Sequence, residues 1–212
     1  MDNERDRLIE TLSAEMGGYG IELSSKTIYE LGEYYSLLTR WNERLHLVAP
    51  CSPEEFATRH ILESLLSMRF LSAGARVIDI GSGAGLPIIP CLIARPDVTA
   101  TLIESSQKKS VFLREAMNQL GISKRAKVIA RPFEESHKED ANFVTCRALD
   151  EFNTKVPLLL KWAPAGATLL LFGGETLKLK LEEQGVQYSE LLIPHSEKRF
   201  LFEVARLQNR EL

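Results

Sequence analysis

The sequence has 212 residues, 44% hydrophobic and 26% charged, which is a globular composition with length for one sizeable core and an appendage. A formal charge of −3 excludes a generic polyanion binder, because non-specific affinity for nucleic acid rests on neutralising phosphates; any RNA contact has to come from local patches. No apolar run reaches the roughly eighteen residues a spanning helix needs, and Met1-Asp2-Asn3-Glu4 is acidic where a secretory signal is basic, so no membrane segment and a cytoplasmic location are expected.

Residues 1 to about 70 read as helices. Ile28, Leu31, Tyr35, Leu38 and Trp41 recur at three and four residues, one face of a helix that starts near Ser24 or Ser25. Ser52-Pro53-Glu54-Glu55 then supplies an N-cap, a proline at the first helical position and a capping-box glutamate, opening a helix through Leu66. This segment, 1–72, is expected to form a helical N-terminal subdomain, with a second domain over 73–212. It carries most of the acidic excess.

From Ala75 the pattern changes to short β-rich runs alternating with helical stretches. Strands are expected at 76–80, 99–104, 127–130, 143–146 and 168–172, with helices near 86–94, 107–120, 150–162 and 176–183; this alternation predicts βαβ units and a parallel sheet. The last two strand-like runs, 187–193 and 199–207, are joined by a link too short for a crossover helix, so they should pair antiparallel. The expected fold is α/β and Rossmann-like: a mostly parallel seven-stranded sheet with an antiparallel C-terminal hairpin.

The strongest local signal is Val77-Ile78-Asp79-Ile80-Gly81-Ser82-Gly83-Ala84-Gly85-Leu86-Pro87, an apolar strand running into a glycine loop and then a helix. Glycines allow a tight turn and close backbone approach to a ligand, and the following helix aims unpaired N–H groups at it. The spacing is G-x-G-x-G, with Leu86 where the last glycine of the dinucleotide fingerprint would stand, which favours S-adenosylmethionine over NAD. Asp79 suits the ammonium group of that cofactor. Glu104, closing the next strand, can accept hydrogen bonds from both ribose hydroxyls. After the third strand, Pro132 and Phe133 lie where an adenine would sit: their backbone suits the base edge and the Phe133 ring its face, unless that ring is an ordinary core aromatic.

Arg147 ends the fourth strand, at the sheet edge where ligands of open α/β folds bind; a guanidinium there can hold the cofactor or a phosphate, and it is the candidate catalytic residue, replaceable with little effect on stability. The competing reading is a surface salt bridge. His60 and Arg59 are candidates for substrate contact, as are the pairs Lys108-Lys109 and Lys198-Arg199 and the cluster Lys124-Arg125-Ala126-Lys127, although charge runs are usually solvated faces. Cys51, Cys91 and Cys146 lack zinc spacing and read as reduced thiols, and no metal site is expected. Cys146 stands near where cytosine-C5 methyltransferases place a nucleophile, but no proline precedes it and no second cysteine follows the fifth strand.

These motifs, with Leu38-Thr39-Arg40-Trp41-Asn42 and Arg59-His60-Ile61-Leu62-Glu63-Ser64-Leu65, resemble the RsmG family, also called GidB, of small-subunit ribosomal RNA guanine-N7 methyltransferases, over roughly residues 25 to 175. The resemblance implies a class I methyltransferase fold, S-adenosylmethionine as donor and N7 of a guanine in 16S rRNA as acceptor, met as free rRNA or in the 30S subunit. It carries cofactor contacts to Gly81, Leu86, the Pro132-Phe133 backbone and Arg147, and Lys108 and Lys109 match the family pattern. A monomer that binds neither DNA nor membrane is expected. Departures from the pattern are His46-Leu47-Val48-Ala49 in place of N-L-T-A, Glu63 for Asp, Ile88 for Gly, Arg131-Pro132-Phe133-Glu134 for R-A-E-E, and Phe172 where lysine is common.

The chain also lacks an Asp/Asn-Pro-Pro-Tyr/Phe segment after the fourth strand, with which amine-directed methyltransferases grip an exocyclic nitrogen. An acceptor reactive without a general base fits, and the in-plane lone pair of guanine N7 is one. The alternatives are a methyltransferase acting on another RNA base or a small molecule, and a non-catalytic nucleotide-binding regulator.

Overall fold

The computed structural model describes residues 2–137, 139–147 and 152–205. Seven strands form one sheet: β1 (Arg76–Ile80), β2 (Thr99–Ile103), β3 (Ala126–Ile129), β4 (Phe143–Arg147), β5 (Thr168–Gly173), β6 (Tyr188–Leu192) and β7 (Phe200–Ala205), in the order β3-β2-β1-β4-β5-β7-β6. β1 to β5 are parallel and β7 is antiparallel to both β5 and β6. The chain is therefore α/β and Rossmann-like, with an antiparallel hairpin ending the sheet. Of the two hairpin strands, β7 is largely buried and β6 largely exposed, so the more apolar strand takes the inner position beside β5 and the more polar one becomes the edge.

The expected strands hold to within one residue over β1–β5, and 206–207 of the last expected strand lie outside the described residues. The helices between strands are α5 (Ile88–Ala94), α6 (Gln107–Gln119), α7 (Phe152–Trp162) and α8 (Glu175–Glu183), preceded by α1 (Asp2–Glu15), α2 (Ser25–Leu45), α3 (Pro53–Phe56) and α4 (Glu63–Leu65). Residues 150–151, expected to open α7, lie outside the described residues.

Alternation along the strands sends side chains to two faces. Val77, Ala100, Leu102, Leu170 and Phe172 share a core with α5, α6 and the N-terminal helices. Ile78, Ile80, Val144, Leu169 and Leu171 pack against Val156, Leu159 and Trp162 of α7 and Leu177 and Leu181 of α8. The first core runs unbroken from Leu8 and Leu12 through Leu66 to Leu92 and Phe112, so apolar packing crosses residue 72 without a gap.

The local signals act as their chemistry requires. The Ser24 hydroxyl accepts from the Thr27 amide at 3.1 Å and starts α2, whose stripe of Ile28, Leu31, Tyr35 and Leu38 is buried. Trp41 meets Phe112 of α6 at 5.9 Å between ring centroids. Ser52 caps α3 in the same way, but the expected capping box closes on one side only: the Glu55 carboxylate turns forward to Arg59 at 2.5 Å, a charged donor one turn ahead. The helical run from Pro53 is interrupted by a π turn over Ala57–Leu62.

Candidate cofactor and acceptor site

The carboxyl ends of β1, β2 and β4 border a cavity of about 350 Å³, floored by Gly81 to Ala84 and walled by Glu104 and Ser105 on one side and by His60 and Arg147 on the other. Gly81, Gly83 and Gly85 all have positive φ, at 68°, 49° and 87°, which L-residues rarely adopt. A side chain is disfavoured twice at Gly85, where a Cβ would overlap the Ile89 side chain. The Gly83 N–H donates to Glu104 Oε2 at 2.8 Å and the Ser106 N–H to Oε1 at 2.7 Å, which fixes the carboxylate against the loop and leaves each oxygen a further lone pair toward the cavity.

Asp79 is fully buried behind Gly81 and Ser82 and does not line the cavity. Thr145 Oγ1 donates to its Oδ1 at 2.6 Å, while Oδ2 has no partner among the described residues. Burial pushes its carboxyl up to about 7, opposed by the Ser82 and Thr145 hydroxyls and helped by the nearby Glu104 charge.

Pro132 and Phe133 border an adjoining cavity of about 160 Å³ that shares Gly81, Ser105 and Lys155 with the first. The Phe133 ring itself is core: it is buried and meets Trp162 edge-on at 5.5 Å. The hydrophobic layer under α7 therefore takes most of the ring.

Arg147 is the centre of a buried cluster, not a surface salt bridge. Its guanidinium donates to the Arg59 carbonyl at 2.5 Å and to Glu63 Oε2 at 3.2 Å, and lies 5.6 Å from the Phe172 ring centroid. Glu63, 2% exposed, also pairs with Arg199 of the C-terminal hairpin. The π turn explains one of these contacts: the Glu63 amide bonds to the Thr58 and His60 carbonyls and bypasses that of Arg59, which accepts from Arg147 instead. The ion pair speaks against the expectation that Arg147 is dispensable for stability, since its removal would strip a buried carboxylate of one of its two cations.

His60 lines the cavity beside Arg147, with its ring 4.9 Å from that of Phe56. Burial, then the Arg147, Arg59 and Arg199 charges, hold its pKa down near 4, so it is neutral at physiological pH. Arg59 instead points its side chain at Glu55, away from the cavity. Lys109 lines the cavity and Lys108 is exposed beside it. The 124–127 cluster borders a different cavity at the opposite, amino-terminal edge of the sheet. There Arg125 donates to the carbonyls of Leu92, Arg95 and Val98, and Lys127 pairs with Glu139. Cys146 is buried in the core. Among the described residues no group of three or more His, Cys, Asp or Glu is placed to hold a metal.

Four contributors carry no physical role assigned from the sequence, although Asn42 and His46 appear there as a motif residue and a departure. Tyr34, fully buried, donates to the Ala84 carbonyl at 2.7 Å and ties α2 to the glycine loop; it adjoined the apolar stripe and carried no signal of its own. Asn42 donates to the Val48 carbonyl and accepts from its amide, holding Leu47 to Ala49 in the cavity wall, which gives the Trp-Asn motif its physical role. His46 caps α2 at φ 48°, a conformation that histidine tolerates better than most residues. Lys155 reaches the cavity from α7, 3.5 Å from Glu134.

Residues 27–206 match the GidB family, described as rRNA small subunit methyltransferase G. Ribosomal RNA small subunit methyltransferase G of Pelotomaculum thermopropionicum is 34% identical over 87% of this chain and 78% of its own. The protein of that name from Halorhodospira halophila is 37% identical over 87% of each chain. Among solved structures, a putative S-adenosyl-L-methionine-dependent methyltransferase from Methanococcus maripaludis superposes with a TM-score of 0.58 at 15% identity, covering 86% of this chain and 95% of that one. A SAM-dependent methyltransferase from Aquifex aeolicus gives 0.58 at 15% identity, covering 80% and 97%.

Proposed function

The chain belongs to the family of rRNA small subunit methyltransferase G, and from that premise we propose that it transfers a methyl group from S-adenosylmethionine to N7 of a guanine in 16S ribosomal RNA. The observation that carries the reading is the cavity itself. It joins a glycine loop, a carboxylate at the end of β2 and a guanidinium at the end of β4, two strand spacings or about 10 Å apart.

The residues present fit the cofactor. Glu104 keeps lone pairs for two ribose hydroxyls, the Pro132-Phe133 backbone borders the space for adenine, and the unpartnered Asp79 oxygen supplies negative charge from behind Gly81 and Ser82 for the ammonium group. When bound, S-adenosylmethionine supplies an electrophilic methyl on a sulfonium sulfur. Guanine N7 needs no proton removed before it attacks, so the tasks left to these residues are alignment and exclusion of water. Neutral His60 and Arg147 bound the acceptor side. Glu63, which accepts from Arg147 and pairs with Arg199, holds the guanidinium, which in turn meets the His60 ring at 3.5 Å, and Leu47 to Ala49 complete the cavity wall.

In this reading residues 73–212 carry the chemistry and 1–72 complete the acceptor side, in a cytoplasmic monomer that meets its substrate as free rRNA or in the 30S subunit. Methyl-labelled cofactor offered with naked 16S rRNA, 30S subunits or a small-molecule pool tests it. Label in rRNA is expected; label only in small molecules, or none despite cofactor binding, selects the alternatives.

A further inference from the structure

The basic residues of the described surface fall into two groups. Most are already held: Arg5 pairs with Glu33, Arg7 with Glu54, Arg95 with Asp97, and Lys178 with Glu190. Arg40, Arg44 and Lys108, like Arg114, Lys124, Arg131, Lys161 and Lys198, are exposed and have no carboxylate within ion-pair reach among the described residues.

Arg40, Arg44 and Lys108 lie on the two helices that meet at Trp41 and Phe112, the arginines lining the groove between them and Lys108 outside its lining. Arg40 and Arg44 are one turn apart on α2 and flank Trp41, whose ring meets Phe112 of α6. Lys108 is one turn before Phe112, on the same stripe of α6 as Glu115 and Gln119. Between the helices runs a groove of about 310 Å³ bordered by Leu37, Arg40, Trp41, Arg44, Glu115 and Gln119. Its one lining carboxylate, Glu115, accepts from the neutral Gln119 amide at 2.5 Å and keeps its charge, so the groove carries two cations against one anion. Glu43, also exposed, lies about 100° round the helix from Arg44.

The groove leads to the site. Three residues after Arg44 the chain reaches Leu47, and one residue after Lys108 it reaches Lys109; both line the cavity. A second depression on the helical layer is bordered by Glu10, Glu15, Glu54, Glu55 and Arg59; Glu54 and Glu55 there are paired with Arg7 and Arg59, which leaves Glu10 and Glu15 as its excess negative charge. A polyanion approaching a protein of net charge −3 is repelled there and drawn to the edge where cations are in excess.

We propose that the α2/α6 edge formed by Arg40, Arg44 and Lys108 is the track on which the rRNA backbone lies, with phosphates on the three cations, delivering the target guanine to the cavity. The inference rests on the rRNA reading above. It assigns the helical layer a substrate-binding part that the cofactor motifs do not carry.

The test uses the full chain with Arg40→Gln, Arg44→Gln and Lys108→Gln combined, and Lys124→Gln as a control, an exposed lysine at the far edge of the sheet. Binding and methylation of 16S rRNA are measured from 50 to 250 mM salt, and S-adenosylhomocysteine affinity by calorimetry. The triple variant is expected to raise the KM for rRNA at least tenfold near 150 mM salt. It should flatten the log–log salt dependence by about two to three, because each lost phosphate contact removes about 0.7–0.9. Cofactor affinity and melting temperature stay those of the wild type. An unchanged salt slope, or an equal loss in Lys124→Gln, overturns the track while leaving the rRNA reading standing. A wild-type protein that transfers no methyl to rRNA overturns both.

Discussion

At the β2 end of the cavity the protein presents the glycine loop and one carboxylate, drawn from residues 81–106, whereas at the β4 end it presents the side chains of His60 and Arg147, the latter held by Glu63, which pairs with Arg199. The first end depends on backbone conformation: three glycines at positive φ and a carboxylate fixed by two N–H groups. The second depends on assembly, since a buried carboxylate from the helical layer is shared between a strand end and the C-terminal hairpin. Damage at the first end should therefore appear as lost cofactor affinity, and damage at the second as lost turnover and lost stability together.

The largest effect is expected at the glycine loop. A Cβ at Gly83 has space, 3.7 Å from the Gly81 carbonyl oxygen, but φ is +49°. Gly83→Val therefore strains the loop by about 1–3 kcal/mol as well as placing a branched side chain at the cavity floor. Calorimetry should show no binding of S-adenosylhomocysteine, with a lowered melting temperature; normal binding would remove the loop from the site.

Arg147→Ala should lower turnover at least tenfold, about 1.4 kcal/mol of transition-state stabilisation, and unfolding free energy by about 3 kcal/mol, because Glu63 is left buried with Arg199 alone. Unchanged stability in that variant contradicts the contrast between the two ends.

Asp79 gives the β2 end a pH signature. With its carboxyl raised to about 7, it is mostly protonated at pH 6 and ionised at pH 8, and only the ionised form attracts an ammonium group. Affinity for S-adenosylhomocysteine should rise up to about tenfold from pH 6 to 8 and then level, and Asp79→Asn should flatten the curve. A fall in affinity over that range contradicts the assignment.

Tyr34→Phe is the finest probe of the comparison, because its hydroxyl joins the helical layer to the glycine loop. Loss of that bond leaves the Ala84 carbonyl unpaired at a cost of about 1–3 kcal/mol. Cofactor affinity should weaken several-fold with turnover at saturation little changed; a drop in turnover alone would show that Tyr34 serves the β4 end.

The same contrast explains what could be read in the sequence. The β2 end is contiguous, and its spacing of glycines and acids registers as a motif. The fold was legible for the same reason, because alternating strands and helices are local patterns. The β4 cluster has no local signature: nothing in the neighbourhood of Arg199 indicates Glu63, and the burial of Arg147 follows from packing of the helical layer over the strand end. Phe133 was undecided between cavity and core because both readings need an apolar residue after β3, and only Trp162 beneath it decides. The insertion of β7 beside β5 likewise depends on comparing the burial of two distant strands.

The central claim is that methyl transfer goes to guanine N7 without a general base. It is tested most directly by single-turnover methylation of 16S rRNA, at saturating cofactor, with 7-deazaguanosine at the position methylated in the natural transcript. The account predicts that the substituted RNA binds but takes no methyl, and that the rate on the natural RNA varies little between pH 6.5 and 8.5. Methylation of the 7-deaza substrate, or a steep rise in rate through a single ionisation, would contradict it and move the acceptor to another atom.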